Sequence, residues 1–264
     1  MKNLFLMLIF ANMVLAIEVK ELPSKLTLPK ALYNHCLELT QSQQLLKLYI
    51  FTDLNISYKS PNKALLQAIP KFDKRLKALH TFFNTEFTDE RDKQKFSEGV
   101  DIWEKSIKPK LLAEPSKENA KLLKKELAEM YRKLKSTKVL AKRLSKKGFE
   151  AVKMTGGICY GSQDMVTLYL IRQAQGTVIP NYEELMKKKM AGFEKRLNTL
   201  KSLEINTPEI KKALNEAERA YSYFTFMYNS ETTVIPALMG KKADEIFKKI
   251  ESVKKLYGKL LKNK

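Results

Sequence analysis

The sequence predicts an all-α protein made of two tandem four-helix bundle units. Its composition, the missing strand pattern and an internal repeat predict this together. Glycine and proline number only nine each in 264 residues, while lysine, leucine, glutamate and alanine, all good helix formers, dominate. No stretch alternates apolar and polar residues over the length of a strand. Set against itself at a shift of 120, the chain lays Ser42, Gln43, Leu48 and Tyr49 on the identical Ser162, Gln163, Leu168 and Tyr169. At a shift of 121, Phe72, Lys74, Arg75, Leu76 and Leu79 fall on Phe193, Lys195, Arg196, Leu197 and Leu200, and Trp103 meets Phe224. Pro61-Asn62 lies between the first two anchors in one copy, as Pro180-Asn181 does in the other. Anchors in one order at nearly one offset mark a duplication.

The first helix is expected from about Ala31 to Asn55. Ser60 caps a second, which Pro61 opens and which runs to about Phe83. Thr88-Asp89-Glu90 opens a third, with acids in the first turn where the helix dipole favours them, and Pro109 ends it. Ser116 caps a lysine-rich fourth reaching about Lys147, with Leu122, Leu123, Leu127, Met130 and Leu134 as its buried face. The second copy follows the same plan. One helix runs to Gln175 and stops at Gly176, one runs from Pro180 to Ser202, one opens at Thr207-Pro208, and one runs from about Lys241 to the end. The units are residues 17–147 and 148–264. They could stack end to end through a long helix from Ser116 to Gln175, or interleave in one thicker bundle. Stacking is expected, because each copy already holds four helices.

Before the first unit, Lys2 precedes an apolar run from Leu4 to Ala16 broken only by Asn12. A membrane-spanning helix needs about 20 apolar residues, and the small Val14 and Ala16 suit a signal peptidase. Residues 1–16 therefore read as a signal peptide cleaved near Ala16, which implies a periplasmic or secreted protein. The net charge of +20 is carried by 42 lysines against 7 arginines. Reading of phosphates and bases favours arginine, so no nucleic-acid partner is expected. The lysines read as solvated helix faces, with contact to an anionic membrane surface or cell-wall polymer through lysine-rich helices as the alternative. Two cysteines and two histidines lack the spacing of a zinc site, so neither a metal nor a cofactor is expected. In an oxidising compartment Cys36 and Cys159 could pair as a disulfide, and a bridge between them would favour interleaving.

The segment Met154-Thr155-Gly156-Gly157-Ile158-Cys159-Tyr160-Gly161-Ser162-Gln163, followed by Leu168-Tyr169 and then Phe193-Glu194-Lys195-Arg196-Leu197, resembles the PilJ/NarX-type sensor domain. The first helix of that family opens on an Ala-Gly-Arg-Gln-Arg-Met-Leu-Ser-Gln-Arg-like stretch, and its second carries a phenylalanine-acid pair. Gly156 matches the family glycine, and Ser162-Gln163 and Ser42-Gln43 match its Ser-Gln pair; Cys36 stands where the first copy would have the glycine. The resemblance covers essentially the whole mature chain as two tandem units. It implies a sensory bundle, and in nitrate sensors of this type arginines meet the anion at a bundle interface. Here those arginines are replaced by Gly157, Cys159 and Asp164 in the second copy and by Leu37, Leu39 and Gln44 in the first. The bidentate donors are gone, so nitrate binding is not implied. The family normally forms the outer half of a membrane receptor or kinase. The resemblance therefore implies a free-standing sensory or ligand-binding module that signals to such a partner.

Ser42, Gln43, Gly156, Tyr160, Ser162, Gln163 and Tyr223 are the residues expected to line a small-molecule site. The competing reading makes the Ser-Gln pairs buried polar groups satisfied within the bundle. Similarly, the aromatic run Tyr221, Tyr223, Phe224, Phe226, Met227, Tyr228 reads mainly as core. His35 and His80 lack a matched nucleophile, so no catalytic residue is assigned and an enzyme is not expected. The alternative function is a structural or envelope-interaction protein that keeps the bundle without binding a small ligand.

Overall fold

A computed structural model describes residues 26–134, 147–230 and 235–262, and every regular element among them is helical. The expected signal peptide, 1–16, and the proposed helical link across 135–146 lie outside the described residues. In chain order the helices are α1 (Leu28–Asp53), α2 (Pro61–Glu86), α3 (Glu90–Ile102), α4 (Lys108–Leu112), α5 (Lys117–Leu134), α6 (Lys147–Tyr169), α7 (Tyr182–Lys201), α8 (Pro208–Asn229) and α9 (Pro236–Lys262). No described helix is long and apolar enough to cross a membrane.

Several boundaries follow from capping. The Asp89 carboxylate accepts from the backbone N–H groups of Arg91 and Asp92, Ser116 Oγ accepts from Asn119 N at 3.2 Å, and Thr207 Oγ1 accepts from Ile210 N at 3.3 Å. Each satisfies an N–H that has no partner within its own helix. Past α6 the chain makes a π-helical turn at Leu170–Ala174, and Gly176, at φ +61°, follows it, where left-handed backbone costs glycine nothing. Three expectations are corrected. Ser60 does not cap α2 with its side chain; it sits in the left-handed region at φ 46°, as Asn181 does before α7 at φ 53°. Pro109 does not end the third helix, because a π-helical turn at Trp103–Ile107 carries the chain through it into α4. Leu122 is 45% exposed, and Ala120 lies on the buried stripe with Leu123, Leu127, Met130 and Leu134 instead.

The two motif helices, α1 and α6, lie side by side and parallel. Cys36 faces Gly156, Thr167 Oγ1 reaches Gln43 Oε1 at 3.1 Å, and Gln175 Nε2 donates to Asp53 Oδ2 at 2.7 Å. Each residue of α1 thus meets the part of α6 about 120 positions later, so the repeats pair in register. Helix α5 runs antiparallel to α6: Lys117 reaches Gly176 O, Lys124 reaches Asp164, and Tyr131 stacks on Tyr160 at 4.6 Å. Helix α9 also runs antiparallel to α6, with Asp244 beside Gln163 and Glu251 beside Cys159. A straight helix from Ser116 to Gln175 and an end-to-end stack are therefore both excluded, since α5 and α6 are antiparallel neighbours. The physical reason lies in α1 and α6 themselves. Each carries buried polar residues that need partners, and Gln43 with Thr167, Lys47 with Gln163 and Asp53 with Gln175 find them across the seam.

The hairpins α2–α3 and α7–α8 pack outside this centre with matching anchors. Trp103 packs on Phe72 with ring centroids 4.2 Å apart and tilted by 39°, and donates from Nε1 to Asp73 Oδ1 at 3.1 Å. In the other half Tyr221 stacks on Phe193 at 4.2 Å and donates to Glu194 Oε1 at 3.0 Å.

Candidate functional site

The seam between α1 and α6 gathers most of the expected site residues. Ser42 and Ser162 are both buried, and each hydroxyl donates to a carbonyl of its own helix, Leu39 O at 2.7 Å and Cys159 O at 2.9 Å. They are packing groups with no free donor to offer. Gln43 and Gln163 are the centres of two polar clusters. Lys124 Nζ donates to Gln43 Oε1 at 3.0 Å, to Asp164 Oδ1 at 2.6 Å and to Thr167 Oγ1 at 2.6 Å. Lys189 binds the other oxygen of Asp164. In the second cluster Lys47 Nζ donates to Gln163 Oε1 at 2.7 Å and binds Asp244. Lys59 at 2.7 Å and the Tyr58 hydroxyl at 3.1 Å complete the second carboxylate oxygen of Asp244, and Gln163 Nε2 donates to Ala243 O at 3.0 Å.

The clusters are related by the repeat. Gln43 and Gln163, Lys124 and Asp244, Lys47 and Thr167, and Gln44 and Asp164 are pairs offset by 120. In each cluster the fourth helix of one half reaches the motif helix of the other, but the charges are exchanged between the two. Burial disfavours the charged form of Asp164, yet Lys124 and Lys189 outweigh it and hold the carboxyl below its usual range. Asp244 is held low in the same way by Lys47 and Lys59. The ammonium groups of Lys47 and Lys124 are themselves pulled down by burial, with their carboxylates opposing the shift.

Further along the seam, Gly156 and Cys36 are repeat equivalents that face each other. A Cβ on Gly156 would fall 2.8 Å from both Cβ and Sγ of Cys36, so the helices approach here only because one of the two positions has no side chain. Gly156→Cys is expected to cost about 1–3 kcal/mol through overpacking. The transposed variant Cys36→Gly/Gly156→Cys should recover most of it, as urea melts of the two variants would read. The disulfide held open by the sequence is not formed: Cys36 and Cys159 are free and buried, and burial pushes both thiols up. They pack as small apolar groups. Next to Cys159, Tyr33 donates to Glu251 Oε2 at 2.9 Å, while Lys254 lies over the Tyr33 ring at 4.2 Å and pairs with Glu251.

The remaining expected site residues do not converge. Tyr160 is half-buried against Tyr131, and burial raises its hydroxyl. Tyr223 is 46% exposed on α8, with Lys242 over its ring at 4.7 Å, far along the chain from the Ser-Gln pairs and in none of their hydrogen bonds. Of the aromatic run, Tyr221 and Phe224 are core, while Phe226 is 70% exposed. A groove of about 90 Å³ between α1 and α2 is lined by Gln41, Gln44, Leu45, Leu48, Ala68, Lys71 and Phe72, whereas small-molecule sites usually enclose about 300–1,000 Å³. Among the described residues no group of three or more His, Cys, Asp or Glu is placed to hold a metal ion.

Lys47, Lys124, Asp164 and Asp244 make the polar centre, and sequence reasoning gave none of them a site role. Singly they look like surface charges; only the offset of 120, which sets Lys124 on Asp244, would have singled them out. Sequence reasoning also underrates a buried histidine. His35 is fully buried, neither ring nitrogen has a hydrogen-bond partner, and Phe83 and Phe96 flank it at 6.0 and 6.2 Å. Nearby Glu38 is fully buried with one oxygen on Arg75 at 3.1 Å and the other without a partner. Burial raises its carboxyl well above the ordinary value despite the guanidinium.

Compared with protein-family models, with curated proteins and with solved structures, the chain finds no match in any of the three.

Proposed function

We propose that the chain is an exported, non-enzymatic scaffold of two tandem PilJ/NarX-like four-helix units closed on each other, and that it acts through its outer surface. The observation that carries this is the filled seam. Where the family resemblance leads one to look for a bound anion, the carboxylates of Asp164 and Asp244 already lie between pairs of lysines, and both motif glutamines bond to protein groups. A small ligand entering there would have to displace a buried ion pair, which is costly. The interaction role of a structural or envelope protein therefore fits better than small-molecule sensing.

The test is thermal unfolding of residues 17–264 against small oxyanions, organic acids, amino acids and purines at fixed ionic strength. A ligand that binds the native state stabilises it by about 2.7 kcal/mol at one hundred times its dissociation constant. A flat panel is expected. A saturable shift, abolished by Gln163→Leu, would replace the scaffold reading with a sensory one.

A further inference from the structure

Resting on the scaffold reading, we infer that the outer face formed by α8 and α9 is a docking surface for an anionic lipid bilayer. The exposed described positions of α9 are Lys241, Lys248, Lys249, Ser252, Lys255 and Lys259; one acid, Glu245, its side chain 36% exposed, lies on the same side between Lys241 and Lys248. Lys249 pairs with Glu216 of α8 at 2.5 Å, and Lys212 and Arg219 of α8 also face that carboxylate. Glu245 is taken up by Lys242 at 2.8 Å. The other four exposed lysines recur at seven-, seven- and four-residue steps, which draws a line of charge about 27 Å long on one side of the helix.

At one end of this face stand Tyr223 and Phe226, 46% and 70% exposed, with ring centroids 6.4 Å apart. The equivalent helix in the first half, α5, also exposes a basic line, Lys117, Lys121, Lys125 and Arg132. What sets the α8–α9 face apart is the exposed aromatic pair beside its lysines, for among the described residues no exposed large aromatic ring lies on α5.

The chemistry of the face selects the partner. Lysines on a convex helical surface offer point charges to a layer of lipid phosphates, each worth about 1 kcal/mol near an anionic membrane. Exposed aromatic rings beside them suit the boundary between headgroups and acyl chains. A single-stranded nucleic acid would call for a groove that tracks the backbone, and this face is a ridge.

Three full-length proteins test the proposal on vesicles of phosphatidylcholine alone and of phosphatidylcholine mixed with phosphatidylglycerol. They are the parent chain, Lys248→Gln/Lys255→Gln/Lys259→Gln, and the control Lys117→Gln/Lys121→Gln/Lys125→Gln, which removes equal charge from α5. Salt-sensitive binding to the anionic vesicles is expected to fall about a hundredfold in the α9 triple and far less in the control. A Phe226→Trp chain, read as the difference from the parent with its buried Trp103, should show blue-shifted emission, quenched by brominated lipid, on anionic vesicles. Leu66→Trp, on an exposed part of α2, should not. Equal losses in both triples, unquenched emission from the Phe226→Trp chain, or binding confined to single-stranded DNA would each overturn the assignment. Those outcomes with a flat ligand panel sink the lipid surface alone. A saturable ligand shift sinks the scaffold reading whatever the vesicles show.

Discussion

Asp164→Ala is expected to lower the unfolding free energy by about 3–5 kcal/mol, the loss typical of removing one partner from a buried pair. The side chain is 6% exposed and lies between Lys124, 19% exposed, and Lys189, 27% exposed. Without the carboxylate, Lys189 can turn to water, but the Lys124 ammonium stays buried with only neutral partners, Gln43 and Thr167 among them. The paired variant Lys124→Met/Asp164→Leu should recover most of the stability, because apolar groups of similar volume need no partner. Urea melts of the single and double variants decide it. A loss below about 1 kcal/mol for Asp164→Ala would place the pair in water, where exposed ion pairs fall.

The second large effect is on pH dependence. Burial lowers His35 to about 4 from its ordinary 6.5, so the unfolded chain takes up a proton that the folded chain refuses. Stability from this group is fully present above pH 6.5 and is lost as pH falls towards 4, at about 1.4 kcal/mol per pH unit. The full loss is on the order of 3 kcal/mol. Glu38 works in the opposite direction: its raised pKa makes the folded state the better proton acceptor, which favours folding as pH falls. The parent profile mixes the two, so the informative quantity is the difference between parent and His35→Leu. The difference between the two should be constant above about pH 7.5, with the variant gaining steadily below about pH 6.5. A constant difference across that range would mean that His35 reaches a proton acceptor in the folded state.

The helices were legible because their signals are local. Asp89, Ser116 and Thr207 cap where their side chains can reach the next turn, and Gly176 ends the π-helical extension of α6 because left-handed backbone suits it. Pro109 misled because a proline normally ends a helix, whereas the π-helical turn just before it absorbs the break. Positions that the repeat pairs were legible too: Trp103 and Phe224 are both buried. The arrangement of the two copies was not. It depends on Lys47, Lys124, Asp164 and Asp244, charged residues that belong in water on any local reading. Their burial becomes reasonable only when helices 120 residues apart are laid side by side. The candidate site was half legible: Ser42, Gln43, Ser162 and Gln163 do meet at one seam, but the charges that fill it were invisible without the fold.

The exchanged charges also forbid substitution of one half for the other. If a first half were set against another first half, Lys124 would face a second Lys47 where Thr167 now stands, and Gln44 would replace the carboxylate it needs. If two second halves met, Asp244 would lie against Asp164. Like charges in low dielectric repel strongly, so homotypic assemblies of either half are disfavoured and only the unlike combination neutralises its interior. The two halves thus fit as a lock and its key: like-with-like contacts are penalised, whereas two chains that exchanged halves would still pair unlike partners and keep every buried charge neutralised.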